Sequence, residues 1–112
     1  MIFVKRIVHS YSRPGSYGYA VFDETKFKEW VDAFMIYERV RRELCLFKNW
    51  GVGLGFLADY KWTVVTGAEA SALSEHICGG YNICVGNIPT IEALKENTEY
   101  LERILEEEKE MA

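Results

Sequence analysis

The stretch NWGVGLGFLADYKW, residues 49–62, carries the choice between two folds. From Trp50 to Phe56 glycine takes every second place, with Val52 and Leu54 between the glycines. Read as a loop, Gly53-Leu-Gly55-Phe-Leu-Ala58 fits the dinucleotide fingerprint G-x-G-x-x-A. That fingerprint needs a helix directly after it, so that phosphate meets the unpaired N–H groups of the first turn. The residues after Ala58, DYKWTVV, read instead as a turn and then strand material, and no Lys-Ser/Thr pair of a phosphate loop is present. Read as a strand, side chains alternate between faces. Trp50, Val52, Leu54 and Phe56 then join a core, and Gly51, Gly53 and Gly55 leave the other face as bare backbone. Glycine inside a strand costs roughly 0.5–1 kcal/mol relative to alanine. It also marks a bend or the close approach of another backbone. The three glycines are therefore candidate contacts, to this chain, to a second subunit or to an extended ligand, and no nucleotide cofactor is expected.

Working outward, residues 2–9, IFVKRIVH, read as a first strand. SYSRPGSYGY, residues 10–19, reads as a loop by its Ser, Pro and Gly. Asp23 is a good N-cap for a helix over about 24–45, with Phe27, Trp30, Val31 and Phe34 at core spacing. Its middle, VDAFMIY, is apolar nearly all round, which predicts contacts on two sides. Residues 50–57 and 60–66 are expected as a hairpin. Thr66 and Glu69 form a capping box for a helix over 67–78, which Gly79 and Gly80 stop. YNICV, 81–85, reads as a fourth strand, and Thr90 caps a last helix over about 91–110. The expectation is one α+β domain over 1–112. It has a single mixed sheet of about four strands in the order β-α-β-β-α-β-α, matching a ferredoxin-like split βαβ plus a C-terminal helix.

The chain has 112 residues, 49% hydrophobic, which suits one core. Net charge is −4, unevenly placed. Residues 1–22 carry Lys5, Arg6 and Arg13 and no acid, whereas residues 63–112 carry ten acids against three bases. That balance argues against nonspecific duplex binding, which rests on many Lys/Arg–phosphate contacts. The N-terminus has charges inside its apolar stretch and no cleavage-site pattern, so a cytoplasmic protein is expected. Three cysteines, Cys45, Cys78 and Cys84, cannot all pair within the chain, so no disulfide framework is implied.

Two clusters carry candidate binding chemistry. Lys5, His9, Arg13, Tyr17 and Tyr19 combine bases with aromatic faces, the pair of features that stacks bases and holds phosphates of single strands. Arg39 and Arg42, three apart on the first helix, share a face. Their plain account is intrahelical pairing, Glu38 with Arg42 and Arg39 with Glu43. In the last helix Ile91, Leu94, Leu101, Ile104 and Leu105 form an apolar stripe. Its plain account is packing on its own domain, and its alternative is a second subunit, with Leu101 and Leu105 the candidate contacts. Its outer face holds eight Glu against Lys95, Arg103 and Lys109.

Catalytic signals are sparse. His9 beside Ser10 and Tyr11 is the only seed for acid/base chemistry, as in a small metal-independent nuclease or hydrolase. His76, Cys78 and Cys84 lack the usual zinc spacing, so no metal is expected.

The chain has no glutamine and fourteen Glu. In that bias, its size and its tyrosine content it resembles the small orphan proteins of filamentous viruses infecting hyperthermophilic archaea. That resemblance implies a small, stable, often dimeric protein, commonly without assigned activity, in the host cytoplasm. The functional expectation is a non-enzymatic, homodimeric interaction protein; the alternatives are a single-strand nucleic-acid binder and a hydrolase built on His9.

Overall fold

The computed structural model describes residues 1–7, 18–48, 61–76, 82–86 and 88–111. Seven elements succeed one another: β1 (Ile2–Arg6), β2 (Tyr19–Phe22), α1 (Glu24–Lys48), β3 (Trp62–Val65), α2 (Gly67–His76), β4 (Ile83–Val85) and α3 (Ile91–Met111). The class is α+β. The four strands form one sheet in the order β3-β1-β2-β4.

β2 is the element the sequence reading leaves out. YAVF is four residues long, too short to declare a period, and it ends a Gly- and Ser-rich run. Its strand character comes from β1, with which it pairs antiparallel, Ile2 opposite Phe22 and Lys5 opposite Tyr19. β3 pairs antiparallel with the other side of β1, and β4 with the outer side of β2. The described sheet is thus wholly antiparallel, not mixed. The ferredoxin-like order rested on a strand at 50–57, which lies outside the described residues, and on parallel crossovers that none of these pairings contains. The backbone bonds Arg6 N–H to Gly18 O, 2.9 Å, and Ile7 N–H to Lys61 O, 2.6 Å, extend both ladders.

The chain divides into two compact units. The first joins residues 1–29 and 60–90. Direct cross-strand partners point to the same side of a sheet. Val4, Ala20, Phe22 and Trp62 therefore share one face, and Val4 and Ala20 on it are wholly buried. Phe27 of α1 lies on this face, its ring 6.3 Å from Phe22 and edge-on to Trp62 at 6.2 Å. The other face carries Phe3, Lys5, Tyr19, Val21, Thr63 and Val65.

A polar clamp closes this unit. Asp23 Oδ1 accepts the Lys26 N–H at 2.7 Å, the N-cap bond expected of it. Asn82, in the left-handed region at φ 65, donates its side-chain amide to Asp23 Oδ2 at 3.0 Å. It also accepts the Asp23 N–H at 3.2 Å and donates its own N–H to Val21 O at 2.6 Å. One asparagine thus ties the β2–α1 junction to the start of β4. Gly67 opens α2 at φ 64, a conformation that favours glycine.

The second unit joins residues 30–59 and 91–112. In α1 the buried side chains are Trp30, Ala33, Phe34, Tyr37, Val40 and Leu44. This is one stripe at helical spacing, with Trp30 stacked on Phe34 at 5.4 Å and Phe34 tilted against Tyr37 at 6.3 Å. In α3 the stripe is Leu94, Thr98, Leu101 and Leu105. Thr98 interrupts the apolar run without leaving a buried donor unpaired, because its hydroxyl donates to Leu94 O at 2.7 Å. Lys109 donates to Glu43 Oε1 at 3.0 Å, linking the last turn of α3 to the C-terminal half of α1.

Candidate interaction surfaces

The N-terminal cluster is placed only in part. Lys5 and Tyr19 are direct partners on β1 and β2, with Phe3 and Thr63 on the same face. The Lys5 ammonium donates to the Glu69 carboxylate of α2, so its charge is compensated at short range. Glu69 spends on this ion pair the carboxylate that a capping box would turn back to the helix start. His9, Arg13 and Tyr17 lie outside the described residues, as do Gly51, Gly53 and Gly55. The acid/base reading of His9 and the contact reading of the glycines therefore have no geometry here.

Arg39 and Arg42 are both exposed on α1. The intrahelical pairs expected for them are not the ones formed. Glu38 Oε2 instead accepts from Arg41 at 3.3 Å, with both side chains only 17% exposed. The reason is burial: charge pairs interact more strongly where water is displaced, and Arg41 lies nearer the buried stripe than Arg42 does. Glu43 turns to Lys109 of α3. Two acids of α1 are thus occupied by other partners. Among the described residues neither Arg39 nor Arg42 takes part in an ion pair.

These arginines belong to a larger feature. Met35, Arg39, Arg42 and Leu46 have the spacing i, i+4, i+7, i+11. At ~100° per residue they fall within about 60° of arc, directly opposite the buried stripe of α1. Met35 is 64% and Leu46 76% exposed, and Ile36 and Phe47 lie exposed along one flank. The sequence signal was the all-round apolar VDAFMIY. What it did not disclose is that a second helical period, apolar and basic, runs along the outer side as far as Leu46.

Leu101 and Leu105 are buried within the single chain, at 0% and 7% exposure. They are core positions and leave α3 to present its charged side instead. There Glu99, Glu102, Arg103 and Glu106 line a surface depression of about 390 Å³. Tyr100 and Met111 are exposed on another side of α3, about 100° or more around the helix from the three carboxylates.

The remaining titratable features are structural. Asp23 is held below its ordinary value of 3.8, first by the Lys26 N–H and then by the Asn82 amide, both of which favour the carboxylate. Cys84 is half-buried, its thiol 3.6 Å from Pro89 O. Cys78 lies outside the described residues. Among the described residues no group of three His, Cys, Asp or Glu is placed to hold a metal ion. Among them also, no helix is long and apolar enough to cross a membrane. Compared with protein families, curated proteins and solved structures, the chain matches none.

Proposed function

We propose that this chain is a non-enzymatic interaction protein whose partner is a second copy of itself. The observation that carries the reading is the outer side of α1. Four large apolar side chains, Met35, Ile36, Leu46 and Phe47, stand exposed on one helix. They stand in two pairs, Met35 with Ile36 and Leu46 with Phe47, at either end of the arginine-bearing face. Large apolar side chains grouped on one exposed face rimmed by polar residues mark an interaction site more than single scattered ones do. Light scattering on the purified chain tests this: a dimer at micromolar concentration supports it, and a monomer throughout overturns it.

A second reading, binding of single-stranded nucleic acid, draws on Lys5 opposite Tyr19 with Phe3 on the same face. The Lys5–Glu69 ion pair works against it. If it holds, a labelled single strand binds at low salt, binding weakens as salt rises, and Lys5→Ala with Tyr19→Ala weakens it further. Unchanged binding in that double variant removes this face from consideration.

A further inference from the structure

We infer that the dimer is reciprocal: the apolar-basic outer face of α1 docks on the acidic outer face of α3 of a second copy, and the reverse contact forms at the same time. The inference rests on the self-association proposed above and adds which surfaces meet.

Charge is the first argument. On α1 the nearby acids are engaged elsewhere, Glu38 by Arg41 and Glu43 by Lys109, leaving Arg39 and Arg42 as the cations between Met35 and Leu46. On α3 the outer face presents Glu99, Glu102 and Glu106 around the depression, with Arg103 among them. Two copies of α1 face to face would bring arginines against arginines, and two copies of α3 would bring carboxylates against carboxylates. Like charges set opposite each other disfavour an interface, and opposite charges fix its register. The cross-pairing of α1 with α3 is the arrangement that avoids both repulsions.

Spacing is the second. Arg39 and Arg42 are three residues apart, about 4.5 Å along the axis at ~1.5 Å per residue. Glu99 and Glu102 have the same separation. On α1 apolar side chains attend the charges, Met35 and Leu46 lying in the same arc as the two arginines.

Size is the third. A stable interface buries about 800 Å² on each partner. A single helix face falls short of that, so a stable pairing needs more than one face from each chain. Two-fold symmetry supplies both contacts at once.

The test is a charge exchange read by sedimentation. One variant carries Arg39→Glu and Arg42→Glu; another carries Glu99→Lys, Glu102→Lys and Glu106→Lys. Each alone is expected to dimerise at least about tenfold more weakly than the unaltered chain, because both of its contacts then oppose like charges. An equimolar mixture is expected to recover the dimer, since both contacts in the mixed pair are complementary. A chain carrying all five substitutions is expected to dimerise with itself, and it covers the case in which either partial variant fails to fold. Undiminished dimerisation by the separate variants overturns the inference and leaves self-association standing. So does failure of both the mixture and the five-fold variant to associate. A monomeric unaltered chain overturns the underlying proposal itself.

Discussion

Replacing Leu101 with alanine separates the two roles a leucine on α3 can have. The side chain is wholly buried in the single chain. A partner is therefore not needed to account for its burial, and its loss is felt by the folded monomer. Leu→Ala at a buried site removes the transfer free energy of the lost methyl groups and leaves a cavity, typically 2–5 kcal/mol together. About 3 kcal/mol, near the middle of that range, is expected. For 112 residues the unfolding entropy is about 0.24 kcal/mol/K, so this loss lowers Tm by roughly 13 °C. Urea unfolding monitored by circular dichroism, repeated over a wide range of protein concentration, is the assay. The lowered midpoint should persist at the lowest concentration, where dimers dissociate. Leu46→Ser, on the outer side of α1, should leave that low-concentration midpoint within about 0.5 kcal/mol of the unaltered chain while weakening association. A Leu101→Ala chain as stable as the original when dilute, and deficient only in association, would refute the assignment of Leu101 to the core.

Three smaller predictions come from local geometry. Asn82→Ala is expected to cost about 1–2 kcal/mol more than Asn82→Gly, because both lose the amide and only alanine is strained at positive φ; equal midpoints in thermal melts would deny the left-handed conformation. The Asp23 carboxylate titrates below 3.8 when folded, so its contribution to stability is present above the unfolded value and is lost as pH falls through the folded one; a carbon-detected NMR titration should show the midpoint moving up in Asn82→Ala, and an unmoved midpoint would remove Asn82 as a cause. Thr98→Val is expected to change stability by no more than about 1 kcal/mol, since the hydroxyl bonds a carbonyl of its own helix and its removal strands no donor; a larger loss in urea unfolding would mean that the hydroxyl serves another partner.

The helices were legible because each repeats its apolar period several times. Trp30 and Phe34 could be placed in a core from spacing alone, whereas spacing left the stripe of Leu94, Leu101 and Leu105 open to a core or a second subunit, and burial within the chain selects the core. β1 and β3 announced themselves through runs of Ile, Val, Phe and Thr. β2 did not, because Tyr19–Phe22 takes its strand conformation from hydrogen bonds to β1, a partner remote from any local pattern. Omitting it shifted the reading of the sheet toward a mixed one. The ion pairs were misassigned for a related reason. Helical spacing places both Arg41 and Arg42 within reach of Glu38, and burial, which spacing does not report, selects Arg41. Likewise Glu43 meets Lys109 across 66 positions of sequence. The outer stripe of α1 was half visible: VDAFMIY signalled apolar surface in excess of one core, while its continuation through Arg39 and Arg42 to Leu46 needed the exposure of each residue.

Sedimentation equilibrium of the unaltered chain at low and high salt, beside the Arg39→Glu/Arg42→Glu variant, bears most directly on the central claim. The account predicts a mass near twice 12.9 kDa for the unaltered chain at low salt, a shift toward monomer as salt screens the charge pairs, and a predominantly monomeric variant. A chain that sediments at the monomer mass under every condition would contradict it.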